Sequence, residues 1–156
     1  MSMEDALDGV KSYLTDNLET ALTTIETARS VTVPRWKEID TCFVLSKQYP
    51  NISIVPATTA FEYGEMDEFL NPWLDHAVSI QIAQAGTVLK DVQYDLVRYV
   101  EAIVGLVTGT KTKYQCGGLF EVVQLSEVEY SIIEAREDKS FVQITDITLL
   151  VRELET

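Results

Sequence analysis

The chain has 156 residues, 46% of them apolar, and a formal net charge of −13 from 25 Asp and Glu against 12 Lys and Arg. That length and apolar content predict a single domain over residues 1–156 with a substantial core, and they exclude disorder throughout. The charge disfavours generic nucleic-acid binding and docking on anionic membranes, since the phosphates of either are repelled.

The first predicted element is a helix over Met3–Arg29. Leu7, Val10, Leu14, Leu18, Ala21, Leu22, Ile25 and Ala28 keep helical spacing over about seven turns. Ser2 suits the N-cap, and Glu4 and Asp5 suit the positive end of the helix dipole. Gly9 weakens the interior by roughly 1 kcal/mol relative to alanine. Thr15-Asp16-Asn17 offers a break, but the apolar stripe passes through it in phase, which favours one helix.

Ser30–Tyr49 has no clean period. Val31-Thr32-Val33-Pro34 reads as extended, and Ile39, Cys42 and Phe43 as one buried turn of helix. Tyr49-Pro50-Asn51 opens a strand at Ile52–Val55 that can run on to Tyr63, with Pro56 marking an edge or a bulge. Gly64–Asp75 is an acidic loop rich in aromatics. His76–Ala83 is the second strand, with Val78, Ile80 and Ile82 alternating against Ser79, Gln81 and Ala83. The two strands form a hairpin.

The central helix is predicted over Thr87–Gly109, with Thr87 as N-cap and Gly109 as the stop. Leu89, Val92, Leu96, Tyr99, Val100, Ile103 and Val107 make its buried face, while Asp91, Asp95, Arg98 and Glu101 fall mostly away from it. Val88, Val97, Val104 and Leu106 widen the apolar surface, so cover on more than one side is expected. Thr110–Gly118 is a loop. Leu119–Arg136 is a long strand, Glu137-Asp138-Lys139 a turn, and Phe141–Arg152 the returning strand. Phe141, Ile147, Leu149 and Val151 lie on one face of that strand and Val142, Ile144 and Leu150 on the other, which predicts cover on both. The sum is an α+β fold, a four-stranded sheet of two hairpins packed against two main helices.

Chemistry-bearing residues are sparse. His76 is the sole histidine, so any Ser-His-Asp or Cys-His site must use it, beside Asp75. No glycine-framed nucleophile lies near it in sequence, and a structural or solvated histidine is the simpler reading. Glu62, Glu65, Asp67, Glu68 and Asp75 miss the calcium-loop spacing and read as a solvated acidic loop rather than a cation site. Lys111, Lys113 and Tyr114 read as an exposed loop rather than a phosphate site. Cys42 and Cys116 form neither a disulfide framework nor a CxxC pair, and read as reduced thiols. The sequence contains no GxxxxGK[ST], GxGxxG or HExxH motif. No catalytic, cofactor or metal residue is therefore expected. The N-terminal MSMEDALDGV lacks a basic n-region and an apolar h-region, and no apolar run reaches bilayer length. Phe61, Tyr63, Phe69 and Trp73 crowd a loop longer than a hairpin needs. They either tuck into the core or anchor a partner surface.

This order of elements resembles the tail terminator proteins of long-tailed bacteriophages, also called tail completion or minor tail proteins. The resemblance runs through helix Met3–Arg29, the Tyr49-Pro50 entry into Ile52–Val55, the long loop, strand His76–Ala83, helix Thr87–Gly109 and the hairpin Leu119–Arg152. It rests on element order and acidic character, and Ser30–Lys47 with Trp36 and Cys42 departs from it. It implies a non-enzymatic virion protein without cofactors, assembled in the host cytoplasm from a phage or prophage gene. It also implies a ring, hexameric in that family, that caps the tail tube, ends its growth and presents the surface that joins the head. Implied partners are other copies of itself, the tail tube protein and a head completion or connector protein. DNA would pass through the lumen without specific binding, and no membrane is involved. The close variant is a head completion or head–tail joining protein. The competing class is a small cytoplasmic enzyme or ligand-binding domain using Asp75 and His76. A net acidic lumen is expected, with Glu121, Glu127 and Glu129 as candidates.

Overall fold

The computed structural model describes residues 2–45, 47–62, 73–108 and 122–152. Its elements are helix α1 (Met3–Arg29), strands β1 (Glu38–Asp40), β2 (Asn51–Glu62) and β3 (Trp73–Gly86), helix α2 (Leu89–Val107), and strands β4 (Val122–Tyr130), β5 (Glu134–Ala135) and β6 (Phe141–Arg152). The sheet runs β1-β2-β3-β6-β4, with β5 paired to β6. It is six-stranded and mixed, not four-stranded, because β1 pairs parallel to β2 and the final hairpin carries the extra β5. Both helices pack on one face. α1 lies over β1, β2 and β3, and α2 over β3, β6 and β4.

α1 is one helix. Thr15 and Asn17 do not split it because their side chains donate back to the carbonyls of Lys11 and Tyr13, at 2.7 and 2.8 Å. A capping box starts it. Asp5 N–H donates to Ser2 Oγ at 3.1 Å and Ser2 N–H to Asp5 Oδ2 at 2.9 Å. Ala6, Val10, Leu14, Leu18, Leu22 and Ile25 face the sheet, where Ile52, Ile54, Val78, Ile80 and Ile82 receive them. The helix stops at Ser30, which takes the left-handed conformation (φ 53).

The segment after α1 is tied back onto it. Arg35 bonds Glu19 at 2.8 Å, Glu26 at 2.6 Å and the Val33 carbonyl at 2.7 Å. Glu26 also accepts from Val33 N–H at 2.8 Å. The Arg35 guanidinium, followed by that N–H, holds the Glu26 carboxyl below its usual range. Tyr99 of α2 closes the clamp by donating to the Pro34 carbonyl at 2.6 Å. Removing Arg35 leaves two carboxylates and a carbonyl without this donor. Arg35→Ala is expected to lower Tm by about 3–6 °C. Circular dichroism melting checks this, and an unchanged Tm would contradict the clamp.

That clamp delivers Glu38–Asp40 to β2 as a strand, in register Glu38↔Asn51 to Asp40↔Ser53. The expected helical turn around Ile39 is therefore absent. Lys37 N–H already donates to the Pro50 carbonyl at 2.8 Å, fixing an extended path.

β2 starts at Asn51, one residue before the expected Ile52, and lies within the expected run to Tyr63, whereas β3 extends beyond the expected His76–Ala83 at both ends. Pairing runs from Asn51↔Ala83 to Glu62↔Trp73, with a bulge between Pro56 and Thr58. Pro56 thus marks both a bulge and an edge, since β1 pairs only as far as Ser53. The strand beginning at Trp73 takes Trp73, Leu74 and Asp75 out of the expected loop.

α2 begins at Leu89 without a side-chain cap, so Thr87 does not serve as one. The cause is β3, which pairs with β6 as far as Gly86↔Phe141 and holds the chain extended to that point. A side chain at Gly86 would meet Val92 Cγ2 at 3.2 Å, so glycine lets the helix fold closely over the strand end. The Gly109 stop and the loop 110–118 lie outside the described residues. The expected second cover on α2 is partial. Val104 and Leu106 are half-buried, whereas Val88 and Val97 are exposed.

The long strand Leu119–Arg136 is divided at residues 131–133 into β4 and β5. The turn after β5 is present, with Asp138 accepting from Ser140 N–H and Oγ at 3.0 and 2.6 Å. On β6, Ile147, Leu149 and Val151 are buried under α2. The opposite row is covered at Val142 and open at Ile144 and Leu150, because both helices sit on one side. Cover on both faces of β6 is thus corrected. Among the described residues, no helix is long and apolar enough to cross a membrane.

Candidate functional site

β2 changes character along its length. Asn51 through Val55 are all buried, while Pro56 through Phe61 are exposed. The far half of β2 is therefore an exposed sheet edge, while β3 beside it stays within the sheet, with Ala77 and His76 buried and pairing to β6 as far as Asp75↔Arg152. Among the described residues, only Phe61 and Glu62 with Trp73 and Leu74 run on past β6 as a short arm. From Ile54 onward the outer edge of β2 has no β partner among the described residues. Phe61 sits near the end of this arm, opposite Leu74, and is 61% exposed. Trp73 opens β3 opposite Glu62. Tyr63 and Phe69 lie outside the described residues, as do Glu65, Asp67 and Glu68.

At the base of the arm, neighbouring positions on the strand alternate, and Asp75 and His76 separate. Asp75 points to the helix-free face, where Arg152 grips it through two bonds of 2.6 and 2.9 Å. His76 points to the helix face, is 2% exposed, and shares a 2.9 Å hydrogen bond with Thr59 Oγ1 through Nδ1. The two do not form an acid–base pair, and the histidine is a buried residue rather than a solvated one. Among the described residues, no cluster of three or more His, Cys, Asp or Glu is placed to hold a metal ion. Cys42 is exposed, and Lys111, Lys113, Tyr114 and Cys116 lie outside the described residues.

The helix-free face carries a second set of groups. Glu127 pairs in register with Thr148, and Glu129 with Asp146, which places these acids together on that face. Both glutamates are exposed. Asp146 accepts from Ser79 Oγ at 2.6 Å and from Gln81 Nε2 at 3.2 Å, so β3 braces the middle of the acidic row. Glu121 lies outside the described residues.

Beneath the start of α2, Asp95 is buried and accepts from Gln84 Nε2 at 2.9 Å, with Arg98 Nη1 at 3.8 Å. Sequence periodicity placed Asp95 mostly away from the core. Gln84, on the inner face of β3, supplies the donor that makes its burial tolerable. Burial pushes the Asp95 carboxyl above its ordinary value of 3.8, outweighing Gln84 and Arg98. A carboxyl with a raised folded-state pKa binds its proton more tightly when folded. Its penalty is absent below pH 3.8 and grows as pH rises through the folded value. Asp95→Asn keeps an acceptor for Gln84 and removes the titration. Its Tm should exceed that of the unsubstituted chain at neutral pH, and the gap should close in acid. A gap independent of pH would contradict this account.

The sequence carried no signal for three features of these surfaces: the Arg152–Asp75 grip, the Arg35 clamp and the burial of Asp95. Each joins residues far apart in the chain or reverses a helical-wheel assignment. The arm aromatics and the glutamates of β4 were visible as residue types.

No family model matches the chain, and no curated protein matches it. Among solved structures, the chain is similar to a component of a structure titled "Virion of native gene transfer agent (GTA) particle". That chain is 12% identical, the match covers 89% of this chain and 92% of the other, and the TM-score is 0.40.

Proposed function

We propose that this chain is a structural protein of a phage-like virion that forms a ring on the end of the tail tube. The ring ends tube growth and offers the surface that the head joins. The observation that carries the reading is the outer edge of β2, exposed from Pro56 to Phe61 and running past the end of β6 to Phe61, which is 61% exposed. A strand edge like this one, without a β partner among the described residues, adds to a neighbour's sheet through main-chain hydrogen bonds, and an exposed aromatic such as Phe61 supplies an anchor. The order helix, hairpin, helix, hairpin, on which the resemblance rests, supports the reading, with β1 and β5 as additions. The reading is non-enzymatic, since Asp75 and His76 face opposite ways.

In this account Phe61, Tyr63, Phe69 and Trp73 belong to the arm's contacts. Further copies of the chain, a tube protein and a head-side connector are the partners. The single-domain extent over 1–156 and a hexameric ring are parts of the same proposal. Native mass spectrometry and negative-stain imaging test it. A closed ring alone or on added tail tubes supports it, and a monomer that binds neither tube nor connector contradicts it. Binding to the connector without binding to the tube would favour the head-completion variant.

A further inference from the structure

Two exposed apolar patches on opposite sides of the fold differ in charge: cations gather at the first, where Arg29 pairs with Glu101 at 2.9 Å and Arg98 lies 3.8 Å from buried Asp95, and acids border the second. The first is on the outer side of α2. Tyr94 and Val97 are 47% and 44% exposed and line a hollow of about 400 Å³ with Arg29, Val31, Arg98 and Glu101. Lys90 Nζ and the Arg98 guanidinium carbon lie 5.3 and 5.6 Å from the Tyr94 ring centre. A chain of net charge −13 thus gathers two of its 12 cations around one exposed aromatic ring. The second patch is on the helix-free face of the sheet. Exposed Ile144 and Leu150 stand on β6 beside exposed Glu127 and Glu129 on β4, one residue row away.

We propose that the Lys90–Tyr94–Arg98 patch of one copy seats on the Glu127–Glu129 face of the next copy. The occupant is a second copy of this chain because the complementary charge and matching apolar residues are both present on the same molecule. Two like patches brought together would oppose cation to cation or acid to acid, so the contact is heterologous. Such a contact closes into a ring when its rotation divides a full turn. The inference rests on the ring reading above and names the contact that builds it. It also moves Glu127 and Glu129 from the channel wall to the subunit boundary.

The test uses two double variants of the full chain, Lys90→Glu with Arg98→Glu, and Glu127→Lys with Glu129→Lys. Each should weaken self-association about 10- to 100-fold in sedimentation equilibrium at low salt. Mixing them should restore association, since each reversed patch then meets a reversed partner, and the restored assembly should alternate the two in mass spectrometry. Restoration also shows that both variants fold. If the unsubstituted chain forms rings and both variants still form them, this contact is wrong while the ring reading stands. If each variant dissociates and mixing does not restore association, the patches serve other partners and the proposal is overturned. If the unsubstituted chain stays monomeric even on tail tubes, the ring reading fails and this inference with it.

Discussion

Truncating the arm aromatics should dismantle the assembly while sparing the protomer. Phe61→Ala and Trp73→Ala are each expected to raise the dissociation constant of self-association or tube binding about 30-fold, the fold-change of a hot spot near 2 kcal/mol. The protomer's Tm should hardly move for Phe61→Ala, because that ring is 61% exposed and contributes little to the core. The helices and the inner rows of β2 and β3, which make the core, end before the arm does. Sedimentation measures the first quantity and calorimetry the second. A large fall in Tm with association intact would place the aromatics in the fold's interior and remove the arm from the account.

The second large effect is electrostatic. A tube that passes DNA must not hold it, and proteins that bind duplex without sequence preference do so at roughly 10⁻⁴–10⁻⁶ M by releasing counterions from phosphate. The excess of 25 acids over 12 basic residues leaves a ring of this chain strongly negative. Its lumen is expected to carry net negative potential along the axis, and duplex DNA at about 100 µM should show no retention even near 50 mM salt. Binding under those conditions, or a positive axis in a structure of the ring, would contradict a repelling channel. Acids spread only over the outside for solubility would leave the axis neutral.

Much of this fold was legible in the sequence, and the reasons are physical. α1 and the buried face of α2 follow from three- and four-residue apolar steps, because each helix has one core side. The alternation of Val78, Ile80 and Ile82 revealed β3 because its other face carries small and polar groups. β1 was not legible. It has three residues, two of them acidic, and exists because Arg35 and Tyr99 position the chain beside β2. The strand-to-helix joint was misjudged because Thr87 suits a cap in isolation. Pairing of Gly86 with Phe141, remote in sequence, keeps that stretch extended. For the site, residue types were visible but directions were not. Asp75 and His76 look like a pair in one dimension, and strand alternation with the Arg152 grip separates them.

The central claim is that this chain stops tail-tube growth, and the length of tubes assembled in its presence measures that most directly. Purified tube protein polymerised with the chain, and imaged by electron microscopy, should give short tubes each ending in one added ring. Tubes that grow to the same lengths with and without the chain, with no added density at their ends, would contradict the account.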